Sequence, residues 1–274
     1  MEELLSHPAV QAGVAPFVVG LVVMALLHRV HLGGLAVVAG FATAVWLING
    51  FTFTPLTATR KIVLLVLVAP LVGILMDFAF KPTRLGAWVL GVAGALAATW
   101  VFYPILSQKP PMEALIPGAT AVLLCGWLVG CTQASLPEQP IRAGSAGLAL
   151  GLGAGGASIL GASALFGQYG IAVGAGSGAL LLIQIIFNRK YAAGTTFMLP
   201  AALACGLLVS AAVILAQLQW YAALILALVP LAVRLPGPER AGVWLQAFVY
   251  SLYGFVVVAG SFAVAWYASR GAPG

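Results

Sequence analysis

GSAGLALGLGAGGASILGASALFGQYGIAVGAGSG, residues 144–178, is the stretch that decides the fold. Twelve of these residues are glycine, and none carries a charged side chain. Two sets of glycines recur at four-residue spacing. The first glycine strip is Gly147, Gly151 and Gly155, and the second glycine strip is Gly170, Gly174 and Gly178. In a helix this spacing places the glycines on one face, where a neighbouring backbone can approach closely.

The solvent around these glycines determines whether such helices are stable. In water each glycine weakens a helix by roughly 0.5–1 kcal/mol relative to alanine. In lipid the backbone has no water to bind, so it must satisfy its own hydrogen bonds and the helix persists. The sequence therefore predicts membrane helices that use both glycine strips as helix-packing surfaces.

The composition of the whole chain indicates the same class. Hydrophobic residues make up 62% and charged residues 7%, against roughly 45–50% and 25% in soluble domains. A chain of 274 residues with this composition has no room for a separate aqueous domain. We expect an all-α, polytopic integral membrane protein with short loops, forming one transmembrane domain over residues 1–274. The partner expected from this composition is the lipid bilayer.

Hydrophobicity divides the chain into about ten predicted spans, because one span needs about twenty mostly apolar residues. The predicted spans are residues 10–27, 34–48, 62–80, 85–106, 114–134, 143–165, 169–187, 197–216, 220–233 and 243–267. The prolines at 137 and 140 separate two candidate halves of five spans, 1–137 and 138–274. Because five is odd, the halves would be inverted relative to each other, as is common among transporters.

The cations predict how the chain is oriented. The net charge is +6, and the cations are scattered among connections instead of forming a nucleic-acid-binding cluster, so no nucleic acid is expected. Alternate connections divide the twelve cations into two groups. One group is Arg29, Lys81, Arg84, Arg142, Arg189, Lys190, Arg234 and Arg240; the other is Arg60, Lys61, Lys109 and Arg270. The larger group predicts the cytoplasmic side of a cell (inner) membrane, with both termini on the opposite side.

The glycine strips have a predicted depth in the membrane. If the sixth span begins at residue 143 and the seventh at residue 169, the two strips lie at opposite depths. Each strip would then face bulky side chains of the other helix, with Leu181 against the first strip and Ile159 against the second. Close structural packing is the main interpretation, and a solute-lining groove is the alternative.

Few side chains inside the spans carry chemistry. Asp77 is the candidate intramembrane charge, and an ion pair with Lys81 at the helix end is the interpretation we favour. No histidine follows His31, so neither nucleophilic catalysis nor haem ligation by paired histidines has its partner. No metal, cofactor or catalytic residue is expected, and we do not expect an enzyme. The neutral side chains Ser158, Ser163, Ser177 and Gln184 are the candidate solute-lining residues.

Two functions remain open at this point. The first is a permease or channel-like carrier for a small neutral or lipid-like solute, favoured by the broken, glycine-rich central helices and short loops. The alternative is a non-catalytic scaffolding or accessory subunit of a larger membrane complex. In that case a glycine strip would dock a helix of another membrane subunit or of a second copy of the chain.

Overall fold

The computed structural model describes residues 7–80 and 83–271. Within these residues the structure is helical and contains no strand, which confirms the predicted all-α class. The helices are α1 (Ala15–Leu27), α2 (Leu35–Asn49), α3 (Ala58–Ala79), α4 (Arg84–Leu106), α5 (Pro111–Gln133), α6 (Pro140–Leu160), α7 (Ala164–Phe187), α8 (Gly194–Leu215), α9 (Trp220–Leu226), α10 (Val229–Ala232) and α11 (Val243–Gly271). A π-helical turn, Val10–Val14, precedes α1, and a 3-10 turn, His28–Val30, follows it.

Eight helical segments in the described residues, fewer than the ten predicted, have the length and composition to cross a membrane. The predicted second and ninth spans differ from the others. Helix α2 has 15 residues and is therefore about 22 Å long, short of the ~30 Å hydrocarbon core. The ninth is divided into the short helices α9 and α10. The protein is a multi-pass membrane protein, and its described residues include eight candidate spans and two shorter apolar segments.

The connections between helices gather at two faces of the bundle. The first face contains residues 50–57, 107–110, 161–163 and 216–219, and the second face contains residues 28–34, 134–139, 188–193 and 233–242. Hydrogen bonds join distant connections within each face. The Gln217 amide donates to the Gly161 carbonyl at the first face, and the Gly194 amide donates to the Pro137 carbonyl at the second. The cytoplasmic assignment of the second face stays a prediction.

Helix α8 is the centre of the bundle. It packs against α2, α3, α5, α6 and α7, and nearly all of its residues are buried. Alanine, glycine and serine at positions such as Ala204, Gly206 and Ser210 let the neighbouring helices come close. The outer helices α4 and α11 instead expose large apolar side chains, including Leu96 and Phe248, as a lipid-facing surface requires.

Helices α6 and α7 form an antiparallel hairpin in which the two glycine strips oppose each other. A methyl group on Gly151 would overlap the backbone nitrogen of Gly174, and one on Gly170 would overlap the backbone nitrogen of Gly155. The register continues along the hairpin: a Cβ on Gly147 would lie 2.7 Å from the Ser177 hydroxyl. The two backbones are therefore in direct contact at their middles, where only glycine fits.

The predicted opposite depths of the strips are wrong, for a local reason. Helix α6 begins at Pro140 instead of residue 143, and α7 begins at Ala164 instead of residue 169. Proline is accommodated in the first turn of a helix, and the Ser163 hydroxyl accepts a hydrogen bond from the Phe166 amide and so caps α7. With these earlier starts both strips lie near the middle of their helices. Leu181 instead faces Gly144, which lies outside the first strip at the hairpin's open end.

Gly151→Ala tests this contact. The added methyl group must displace the α7 backbone, so we expect the free energy of unfolding to fall by about 1–3 kcal/mol. The matched control is Gly178→Ala, where a Cβ meets Leu148 at an ordinary 3.5 Å. Because alanine favours a helix over glycine, the control variant should be as stable as the parent. Thermal unfolding in detergent micelles measures both, and equal loss in the two variants would contradict the contact.

Candidate functional site

The four candidate solute-lining residues lie in the packed hairpin and its turn. Ser158, Ser177 and Gln184 are fully buried. The Ser177 hydroxyl donates to the Val173 carbonyl at 2.8 Å, and Ser163 is the α7 cap. The Ser158 hydroxyl and the Gln184 side-chain oxygen have no hydrogen-bond partner in the described residues. None of the four borders the cavities described below, so their solute-lining role stays a prediction.

Asp77, the candidate intramembrane charge, binds the start of α8. Its Oδ1 accepts from the Thr195 amide at 2.7 Å, and its Oδ2 accepts from the Thr196 amide at 2.8 Å and the Thr196 hydroxyl at 2.7 Å. The first amides of a helix lack intrahelical partners and carry partial positive charge, so a carboxylate satisfies them well. Lys81, the predicted ion-pair partner, lies outside the described residues. Asp77 thus joins the end of α3 to the beginning of the central helix.

Arg142 forms a second cross-helix link at the second face. Its side chain is 11% exposed and forms an ion pair with Glu239 at 3.0 Å. The guanidinium also donates to the Arg234 carbonyl at 2.8 Å and to the Tyr250 hydroxyl at 3.2 Å, and lies 4.4 Å from the centre of the Tyr250 ring. These contacts use the cation to hold α6, the 233–242 connection and α11 together.

A polar cavity of about 440 Å³ opens at the first face, and we name it the Tyr169 cavity. It lies between the end of α2, the 50–57 connection, the beginning of α3 and the beginning of α7. Its polar lining consists of Asn49, Thr52, Thr57, Thr59, Arg60 and Tyr169, and its apolar lining includes Val45, Phe53 and Leu165. The cavity therefore joins helices of the two predicted halves, since α2 and α3 precede residue 137 and α7 follows it.

Tyr169 forms the buried end of this cavity. The residue is 1% exposed, and its hydroxyl accepts a hydrogen bond of 3.0 Å from the Asn49 side-chain amide. Its ring packs against Phe41, with the ring centres 5.5 Å apart. The Asn49–Tyr169 hydrogen bond is a direct polar contact between α2 and α7.

Helices α1, α2 and α7 pack tightly against one another beyond Phe41, on the side away from the first face. A Cβ on Gly40 would lie 3.0 Å from the Pro16 carbonyl oxygen, and one on Gly176 would lie 2.7 Å from the Val37 Cα. Helices α1, α2 and α7 are therefore in near backbone contact below the cavity. This close packing lies between the Tyr169 cavity and the second face.

The loop wall of the Tyr169 cavity is organised by Arg60. Its guanidinium donates to the Pro55 carbonyl at 2.7 Å and to the Thr52 hydroxyl at 3.1 Å. Thr57 caps α3 by accepting from the Arg60 amide at 3.4 Å. From the sequence, Arg60 was expected only to help orient the chain, and Asn49 was not among the candidate solute-lining residues. The signal that could have identified the site is the threonine-rich connection directly before Arg60.

Two other cavities have weaker claims to be functional. One of about 690 Å³ at the first face is bordered by Leu160 and by the exposed side chains Gln217 and Trp220. Another of about 380 Å³ at the second face is bordered by Arg142 and Lys190, but Arg142 is already satisfied by the chain. The Tyr169 cavity differs from the first of these because a buried polar side chain, Tyr169, lines it. It differs from the second because its lining comes from both predicted halves of the chain.

The described residues contain no group of three or more His, Cys, Asp or Glu side chains that could hold a metal ion. Of the histidines, His28 instead packs against the Tyr191 ring, with ring centres 4.9 Å apart.

Asp77→Asn tests the link between α3 and α8. The amide keeps the shape of the carboxylate but removes its charge and one acceptor oxygen, so we expect a loss of about 1–2 kcal/mol in the free energy of unfolding. Glu113→Gln is the control, because that exposed carboxylate lies in the first turn of its own helix and should contribute roughly 0.3 kcal/mol. Thermal unfolding in one detergent compares them. An Asp77→Asn variant as stable as the control would refute the capping role.

Comparison with known proteins assigns no family to this chain. No protein-family model, no curated protein and no solved structure matches it. The functional proposal therefore rests on the structure itself: the Tyr169 cavity, the glycine hairpin, and the cross-helix links at Asp77 and Arg142.

Proposed function

We propose that the protein is a membrane permease or channel-like carrier that admits a small polar solute at the Tyr169 cavity. The observation that carries this proposal is a polar cavity of about 440 Å³ at the seam between the two predicted halves, with close backbone packing below it. Cavities that bind small molecules are commonly about 300–1,000 Å³ in volume. Binding sites of secondary transporters typically lie between repeats.

The polarity of the lining indicates the kind of solute. Polar side chains are costly to bury in a membrane protein unless they pair or meet water or a ligand. Tyr169 is held at the bottom of the cavity by Asn49, and three threonines border the same space. This lining favours a hydrogen-bonding solute over the lipid-like solute that was the other class predicted from the sequence.

Passage requires the closed packing below the cavity to open. The Asn49–Tyr169 hydrogen bond and the close approach of Gly176 to Val37 both connect α7 with α2. Movement of the α6–α7 hairpin as a unit would separate α7 from α2 while the opposed glycine strips stay in contact. A solute that displaces Asn49 from Tyr169 would favour that movement, because it replaces the hydrogen bond that is lost.

The accessory-subunit hypothesis has less support. It used the glycine strips as docking surfaces for a helix of another subunit or a second copy. In the structure the strips contact each other within one chain, at Gly151 with Gly174 and at Gly155 with Gly170, so neither strip is free for a partner helix. Co-purification of a stable partner in mild detergent, with no solute passage, would favour this alternative.

Filling the cavity tests the permease proposal. We expect Leu165→Trp, which places a bulky indole ring in the Tyr169 cavity, to reduce solute passage into liposomes by roughly tenfold or more. Leu123→Trp is the matched control because Leu123 lies on the lipid-exposed surface of α5. A broad panel of radiolabelled small solutes identifies the permeant first. The proposal fails if no solute passes, or if both variants lose passage equally while remaining folded.

A further inference from the structure

The hydroxyl groups of the Tyr169 cavity are already used as acceptors by the protein. Thr52 accepts from the Arg60 guanidinium, Thr57 accepts from the Arg60 amide, and Tyr169 accepts from the Asn49 amide. A hydroxyl has one O–H donor besides its acceptor lone pairs. No described residue accepts a hydrogen bond from any of these three O–H groups. The cavity therefore offers donors whose protons are not used by the chain.

The charge of the cavity also favours a solute that accepts hydrogen bonds. Among the described residues that line it, Arg60 is the one charged side chain and there is neither Asp nor Glu. The guanidinium has five N–H donors, of which Pro55 and Thr52 take two. The adjacent cation Lys61 is directed elsewhere, since it donates to the Trp100 carbonyl at 3.0 Å and lies over the Trp100 ring. Arg60 is thus the cation that a solute in this cavity would meet.

We infer that the solute of the Tyr169 cavity is a small oxyanion, a carboxylate or a phosphate, whose oxygens accept hydrogen bonds from Arg60, Thr52 and Tyr169. Binding of the oxyanion is inferred from the cavity alone. The passage of the oxyanion through the membrane rests on the proposed function. Guanidinium pairs with carboxylate and phosphate through two parallel hydrogen bonds. The buried Tyr169 O–H serves a second acceptor on the solute, deeper in the cavity.

This solute class differs from the neutral one predicted from the sequence. That prediction placed the solute beside the neutral polar side chains Ser158, Ser163, Ser177 and Gln184 of the hairpin. The fold brings the hairpin's Tyr169 beside Arg60, which belongs to α3 and lies far away in sequence. A site whose described lining holds one cation and no carboxylate favours an anion by electrostatics as well as by hydrogen bonding.

Isothermal titration of the purified full-length protein with a matched series tests the inference. The probes are succinate, its neutral analogue succinamide, the cation 1,4-diaminobutane, and inorganic phosphate. We expect succinate or phosphate to bind at least roughly tenfold more tightly than succinamide and the diamine. Binding of succinamide or the diamine as tight as that of both oxyanions would overturn the inference, and so would failure of both oxyanions to bind.

Variants locate the binding. Arg60→Gln should weaken oxyanion binding by roughly tenfold or more, and Arg60→Lys by less because it keeps the charge. Tyr169→Phe removes one donor and should weaken binding by several-fold. Lys109→Gln, a cation of the same face outside the cavity, should bind like the parent. Equal loss in Lys109→Gln and Arg60→Gln would overturn the inference, because the attraction would then be unspecific.

The same preparations separate this inference from the permease proposal. Arg60-dependent oxyanion binding without passage into liposomes would retain the oxyanion site and refute the permease function. Passage of a neutral solute that is blocked by Leu165→Trp, with no oxyanion binding, would retain the permease function and refute the oxyanion site.

Discussion

Direct backbone contact between α6 and α7 is the constraint on which the rest of the structure depends. At Gly151 with Gly174 and at Gly155 with Gly170 any side chain would overlap the opposite backbone. Apolar side chains gain little by leaving lipid for protein, so membrane helices associate through close van der Waals packing. Glycine makes that packing possible, and in lipid its weakness as a helix former matters less because the backbone must stay hydrogen-bonded.

The hairpin's position explains both the compact centre and the cavity at its edge. Helix α7 contacts α1 and α2 by a further glycine, Gly176, while α8 packs against the hairpin from within the bundle. Asp77 and Arg142 then join the bundle across the second face. Near the first face Tyr169 of α7 packs on Phe41 and accepts a hydrogen bond from Asn49, and polar groups line the space beside them. Helix α7 therefore carries both the glycines that pack the bundle and, close to them, the Tyr169 side chain that lines the cavity.

The sequence predicted the membrane class and most of the helices, because these follow from composition and hydrophobicity. It misplaced the starts of α6 and α7, since hydrophobicity alone does not reveal that Pro140 can begin a helix or that Ser163 caps one. Asp77 was recognised as unusual, but its partners in α8 are distant in the chain. The Tyr169 cavity was missed for the same reason: Arg60 and Tyr169 meet only after the hairpin has packed against α2 and α3.

Cross-linking in native membranes tests the hairpin register most directly. In a variant with Cys125, Cys131 and Cys205 replaced by serine, the pair Leu148→Cys and Gly178→Cys should be joined by a short bifunctional thiol reagent, because a Cβ on Gly178 lies 3.5 Å from Cδ1 of the Leu148 side chain. The pair Leu148→Cys and Ile186→Cys, two helical turns further along α7, should not. Efficient cross-linking of the second pair and none of the first would contradict the opposed glycine strips and the account built on them.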